Sequence, residues 1–337
     1  MKGCVRRAVV LVVAVAGGLA VGYYAFHMLH VPRDPNGAAK EFTVRSGETL
    51  KKVSTSLQAQ GLVRSSLAFE LYARARRDSS RIKAGRYSLS PALSSVDILH
   101  KLVSGDVIVD SKKVTIPEGW RITQIAARLE AEGFFDQERF RAAAHMKPEY
   151  QNYWFLSRLA NGESLEGYLY PDTYELSRDA GADAVVARML DTFQEKVGEE
   201  LRKAAEEQER TARDIVILAS IVQAESPVAD MPGIAGVFWN RLQNGMLLES
   251  DATVNYVLGT SKLQPTYKDV RVDSPYNTYR YRDLPPGPIG NPGADAIRAA
   301  IHPAAHDFFF FLHKPDGETV YSRTLNEHLR NKRRYLD

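Results

Sequence analysis

Residues 211–227 read TARDIVILASIVQAESP, and this stretch decides the architecture. Ile215, Val216, Ile217, Leu218, Ala219, Ile221 and Val222 make a helix that is apolar on most sides. Such a helix belongs in a protein core. Leu218, Ile221, Val222 and Glu225 share one face at helical spacing, so a carboxylate closes the apolar face. Ser226-Pro227 then ends the helix. Partial burial disfavours the charged carboxylate, and the negative end of the helix dipole disfavours it further. Both raise its pKa towards the range of a general acid. An ordinary solvated glutamate at a helix C-terminus gives the same pattern, and periodicity alone does not separate the two.

On the C-terminal side, Met231–Gly245 reads as an amphipathic helix. Ile234, Val237, Phe238 and Leu242 share a face, Asn240 and Arg241 lie beside it, and Gly245 closes it. Three loops follow: LESDATV at 248–254, DSPYNTY at 273–279 and LPPGPI at 284–289. Tyr, Asn, Ser and Thr on Pro-stiffened backbone suit a sugar cleft, because rings stack on aromatics and hydroxyls need hydrogen-bond partners. Phe308–His313 and Thr319–Ser322 flank a Lys-Pro-Asp-Gly turn and read as a hairpin. Thr324 and Glu327 form a capping box for a last helix.

On the N-terminal side, residues 163–174 are rich in aromatics and turn formers, and Val197–Thr211 is a charged helical stretch. Further back lies an internal repeat at a spacing of 72 residues. Phe42–Gly47 aligns with Val114–Gly119, and Leu50, Val53, Leu57, Ala59 and Gly61 align with Ile122, Ile125, Leu129, Ala131 and Gly133. Each copy reads as a strand, a glycine turn and an amphipathic helix closed by glycine. Two copies are too few for a solenoid and fit two halves of a small α+β module. Between them, Lys83–Leu89 reads as a strand and Ser94–Leu99 opens a helix. A strand and helix after V-x-x-G-E-T-L resemble a LysM-type glycan-binding module; a plain spacer gives the same signal.

The first thirty residues hold Lys2, Arg6 and Arg7 and no acid, followed by an apolar run from Ala8 to Leu29 broken by His27. That length suits a membrane span, and the basic flank places Met1 in the cytoplasm and the rest outside. Ala14-Val15-Ala16 offers a signal-peptide cleavage site as the competing reading; an uncleaved anchor is favoured because the apolar run continues past it. Residues 31–41 read as a linker.

Net charge is +3, from 44 Lys and Arg against 41 Asp and Glu. The three N-terminal cations account for it, so no nucleic-acid partner is expected. The lone cysteine, Cys4, allows no internal disulfide. His302 and His306 stand four apart without the glutamate of H-E-x-x-H and with Pro303 between them, so no metal site is expected. Ser226 lacks a G-x-S-x-G context, and no phosphate loop is present. No cofactor is expected.

The segments VTIPEGW, SLEGYLYPDTY, ASIVQAES, FWNRLQNGM, LESDATVNY, SPYNTY, LPPGPIGNPG and AAIHPA occur in this order. Together they resemble the YceG-type endolytic murein transglycosylases (the MltG family), from about Phe42 to the C-terminus. The resemblance implies a single-pass membrane protein with a LysM-like module and an outward, periplasmic-side catalytic domain. It implies internal cleavage of nascent peptidoglycan strands, leaving 1,6-anhydromuramyl ends, with peptidoglycan synthases as candidate partners. It places the catalytic glutamate in IV-x-x-E-[ST], at Glu225. Related sequences often carry Glu where this chain has Gln223, which leaves Glu225 alone for the acid role.

The expected organisation is therefore α+β. An N-terminal transmembrane helix (1–30, in contact with the bilayer through Ala8 to Leu29) and a linker (31–41) precede a LysM-like α/β module (42–150) and a mixed α+β catalytic domain (151–337). Gln223, Ser226, Asn240, Ser250, Asp251, Thr253, Tyr276, Asn277 and Tyr279 are the candidate substrate-binding residues. Two rival functions remain at this level. A lysozyme-like muramidase would need a second carboxylate, for which Asp251 and Asp273 are candidates. A silent wall-binding scaffold would need no acid at all.

Overall fold

Phe42 and Tyr87 face each other across the first pair of strands, β1 (Lys40–Val44) and β2 (Gly85–Leu89), which run antiparallel. The computed structural model describes residues 16–336 except 20, 21, 109, 209, 226, 227 and 263. The chain divides into two units, Met1–Asp110 and Ser111–Asp337.

In the first unit, Gly47 at φ +77° turns the chain out of β1. The Thr49 hydroxyl then caps helix α1 (Leu50–Ala59) by accepting from the Lys52 amide. Helix α2 (Ser66–Ala75) is capped in the same way by Ser65. Helix α3 (Ser95–Ser104) starts with a full Ser94–Asp97 capping box. Phe42, Val53, Leu57, Phe69, Tyr87, Leu89, Ile98 and Leu102 form this unit's own core. The stretch read as a linker is tied to it: Arg64 donates to the carbonyls of Val31 and Pro32, and the Asp34 amide donates to the Pro91 carbonyl.

The second unit opens on the same plan. Strand β3 (Ser111–Thr115) is followed by α4 (Ile122–Ala131), α5 (Gln137–Ala143), β4 (Thr173–Ser177) and α6 (Ala182–Phe193), with β3 and β4 antiparallel and Val114 opposite Tyr174. The repeat thus runs beyond the strand and helix that the sequence displays. Tyr87 and Tyr174 occupy matching places in the second strands, and each phenol donates to the carbonyl four residues before it, at 2.6 Å to Lys83 and 2.5 Å to Tyr170. Because the units part at Asp110 and Ser111, before the expected boundary at 150/151, the second copy of the repeat belongs to the second unit.

Helix α6 continues through a π turn into α7 (Glu199–Glu207). The central element is α8 (Ala212–Glu225), on which α9 (Met231–Gln243) and α11 (Ala294–Ile301) pack, with α10 (Asp251–Leu258) against its C-terminal end. Thr211 and Asp214 exchange hydrogen bonds as a capping box at its start. Ile215, Val216, Leu218, Ala219, Ile221 and Val222 are all buried, as the apolar periodicity predicts; each large one stabilises the fold by about 1.5–3 kcal/mol. The hairpin β5 (Phe310–His313) and β6 (Thr319–Ser322) and the last helix α12 (Leu325–Tyr335) complete the unit.

The mixed α+β architecture stands, but the expected N-terminal transmembrane helix does not. Residues 1–15, 20 and 21 of that stretch lie outside the described residues. Among the described residues, helix occupies 16–19 and 22–30, and no helix is long and apolar enough to cross a membrane. The structural ground for contact with the bilayer through Ala8 to Leu29 goes with it.

Candidate active site

Glu225 is the last residue of α8, and its half-buried carboxyl group meets the start of α10. Oε1 accepts from the Ser250 hydroxyl and, at 3.3 Å, from the Ala252 amide. Oε2 has no partner among the described residues. Burial pushes the Glu225 carboxyl above its ordinary range; the bonds from Ser250 and Ala252 oppose the shift, Asp251 reinforces it and His313 opposes it. A carboxyl group with raised proton affinity and one oxygen fixed suits the donation of a proton to a bound oxygen.

Ser250 is held by a hydroxyl network. Its amide donates to Thr278 Oγ1 at 3.0 Å, and Thr253 Oγ1 donates to its carbonyl at 2.7 Å. Thr253 and Thr278 hydroxyls meet at 2.9 Å, both buried. Asp251 accepts from the Tyr279 phenol at 2.7 Å, and burial with Asp251 beside it pushes that phenol upward, so it remains a donor. Asp273 is exposed, bound by Tyr281 at 2.7 Å and Arg280 at 3.4 Å.

The other candidates serve the backbone. Gln223 Oε1 accepts from the Gly293 amide at 2.9 Å. Asn240 donates to the carbonyls of His306 and Phe308 at 2.8 and 3.0 Å, fixing the entry to β5. Asn277 is fully buried and donates to the carbonyls of Val270 and Val272. Ser226 lies outside the described residues. Ser250, Asp251, Thr253 and Tyr279 therefore gather around Glu225, whereas Asn240 and Asn277 hold loops in place.

Tyr276 lines a second feature. Its ring lies 5.0 Å from that of Tyr256 on α10, over which Arg121 sits at 4.9 Å. With Thr123, Glu166 and Ser274 these residues border a cavity of about 580 Å³.

Glu166 and Asn291 carry no chemistry signal of their own in the sequence, yet they organise this side of the unit. The Asn291 side chain accepts from the amides of Gly167 and Leu169 and donates to the Trp120 carbonyl and to Glu166 Oε1, all between 2.8 and 2.9 Å. Glu166 also accepts from the Ile122 amide, the first of α4, at 2.9 Å. Gly290 admits this crossing of loops, since a Cβ there would stand 2.5 Å from the Gly119 carbonyl oxygen. Burial pushes the Glu166 carboxyl from 4.5 up to about 7.

That shift predicts a pH dependence. The folded chain keeps the Glu166 proton to higher pH than the unfolded chain does, so stability falls as pH rises from about 4.5 to about 7, by on the order of 3 kcal/mol. Glu166→Gln cannot ionise and should flatten the slope. Urea unfolding of both proteins at about pH 5 and about pH 8 measures it, and equal slopes would show that burial does not hold this proton.

Comparison with known proteins bears on the chemistry. The model of the YceG-like family matches residues 42–334. A Bacillus subtilis protein named endolytic murein transglycosylase is 32% identical over 309 residues, covering 87% of this chain and 84% of the relative. A Streptococcus pneumoniae protein of the same name is 29% identical over 344 residues, covering 94% of this chain; the chain spans 62% of that relative's length. Among solved structures, a putative YceG-like protein of Listeria monocytogenes superposes with a TM-score of 0.60 at 31% identity, covering 88% of this chain and all of the other.

Proposed function

We propose that this chain, which belongs to the YceG-like family, is an endolytic murein transglycosylase in which Glu225 acts as acid and then as base. The names of its relatives support the substrate and reaction class. The observation that carries the residue assignment is the Glu225 carboxyl group: a raised proton affinity, Oε1 fixed by Ser250 and Ala252, and Oε2 free among the described residues.

The chemistry follows from that arrangement. The proton on Oε2 passes to the oxygen that links the muramyl C1 to the next sugar, and the bond from C1 to that oxygen breaks. The carboxylate left on Glu225 takes the proton of the muramyl 6-hydroxyl as O6 bonds to C1. Proton and carboxyl return to their starting state, and no water is consumed. The nucleophile is part of the substrate, so its proximity is supplied by covalent structure. One residue then serves both steps, and Asp251, held by Tyr279, orients the sugar. The peptidoglycan substrate implied by the relatives' names supports action outside the cytoplasm.

Product analysis tests this reading. Uncrosslinked glycan strands treated with the chain should yield fragments ending in 1,6-anhydromuramic acid, each lighter by one water than a reducing end. Reducing ends that carry ¹⁸O from labelled solvent would overturn it in favour of a muramidase. Asp251 is then the carboxylate placed to serve as the second group, since it is the one whose charge acts on Glu225.

A further inference from the structure

The carbonyl end of α8 is bound by a side chain that the mechanism above does not use. His313, at the end of β5, places Nε2 3.0 Å from the Glu225 carbonyl oxygen and Nδ1 3.0 Å from Thr319 Oγ1. Thr319 is its register partner on β6, and the Thr319 hydroxyl in turn donates to Asp230 Oδ2. Donor and acceptor chemistry constrains where each proton lies. A carbonyl oxygen only accepts, so Nε2 carries a proton. The hydroxyl has one proton; with Asp230 ionised that proton goes to Asp230, and Thr319 Oγ1 then accepts from Nδ1, which carries a proton too. A ring that donates from both nitrogens is an imidazolium.

We propose that His313 is a positioning residue for Glu225, a cation that fixes the C-terminal carbonyl of α8 and, through Thr319, is balanced by Asp230. A cation at a helix C-terminus is favoured by the helix dipole, so the same contact anchors the backbone under the acid. It also moderates the effect of burial by favouring the carboxylate that Glu225 becomes after giving up its proton. The other charges nearby do not cancel it. Asp251 acts on Glu225 from the start of α10 in the opposite sense. Lys314 and Glu318, next to His313 and Thr319, pair with each other, and Lys314 lies against the Tyr335 ring.

The inference rests on the reading of Glu225 as the acid, and its test separates the two. In the full chain labelled with ¹⁵N-histidine, both ring nitrogens of His313 should show attached protons, and Thr319→Val should remove the one on Nδ1. A neutral His313 ring with a single N–H in the parent chain, which would put the shared proton on Asp230, overturns the proposal. The second readout is the pH profile of strand cutting. Removing a cation raises the pH at which Glu225 loses its proton, so in His313→Gln, which keeps a donor for the carbonyl, the alkaline limb of kcat/KM should move up by about half a pH unit or more. Thr319→Val should move it in the same direction by less, and supplies the answer if His313→Gln does not fold. A lower plateau with unmoved limbs in both variants is what a merely structural contact would give, and overturns the proposal. A parent chain that cuts no strands overturns the reading of Glu225, while the spectrum still decides the ring assignment.

Discussion

Glu225→Gln should lower strand cutting by at least about 10³-fold, in a protein that folds at least as stably as its parent. The two halves of that expectation have one origin. Oε1 accepts both the Ser250 hydroxyl and the Ala252 amide, and the glutamine amide oxygen takes over both bonds. The amide nitrogen then stands where Oε2 stood, with no proton to release at the pH of the reaction. For stability, the sign follows from burial, which raises the carboxyl above its ordinary range. Above that range the parent's folded state must either keep a proton that the unfolded chain has lost or hold a poorly solvated charge, so its stability declines with rising pH. Glutamine has no such decline. Thermal unfolding at about pH 8 should therefore place the variant level with the parent or above it, while product analysis shows no new anhydro ends. Substantial cutting by the folded variant would move the acid elsewhere.

Helix α8 and its terminal carboxyl group are readable in the sequence because both are local. The apolar run, Glu225 and the helix-ending Ser226-Pro227 all lie within one stretch of chain. The first half of the repeat is readable for the same reason. Its second half is not: Tyr87 and Tyr174 are out of step with the 72-residue spacing, because the turns and short 3₁₀ segments after α5 delay β4. The loops 248–254 and 273–279 suggest a cleft by their Asn, Ser, Thr and Tyr content, but composition does not say whether an amide faces sugar or backbone. Asn277 turns inward to two carbonyls, whereas Ser250 and Tyr279 turn towards the acid and its neighbour. Glu166 and His313 escape a reading of the sequence because their partners are remote, Asn291 at 125 residues and Glu225 at 88. A glutamate in a turn and a histidine at a strand end carry no local mark of what they bind. The span expected over Ala8–Leu29 rests on the apolar run and its basic flank, and among the described residues no helix is long and apolar enough to cross a membrane.

Asn291→Asp should destabilise the second unit by about 4 kcal/mol or more, the largest stability effect we expect from a near-isosteric change. Asn291 is fully buried, and its amide nitrogen donates at 2.9 Å to the Trp120 carbonyl and at 2.8 Å to Glu166 Oε1. In aspartate that nitrogen becomes an oxygen that faces two acceptors, one of them a carboxylate. The amides of Gly167 and Leu169 keep their acceptor, so the loss is confined to these two contacts and to the meeting of like charges. Two carboxyl groups that close cannot both ionise cheaply, and one must hold a proton. The urea midpoint of Asn291→Asp should therefore recover in part at about pH 5, where a proton shared between the introduced carboxyl group and Glu166 replaces the lost N–H. Asn291→Leu loses the same donors, and the acceptor of the Gly167 and Leu169 amides as well, without adding charge, so its pH dependence should be only that of Glu166 and its recovery at about pH 5 smaller than that of Asn291→Asp; equal recovery in the two variants would mean that the introduced carboxyl group does not share a proton with Glu166. The damage should reach the active site by a short route. Asn291 is two residues from Gly293, whose amide is bound by Gln223, itself two residues before Glu225. Of whatever Asn291→Asp remains folded at about pH 7, strand cutting per folded molecule should fall with the loss of that loop, and recover with it at lower pH.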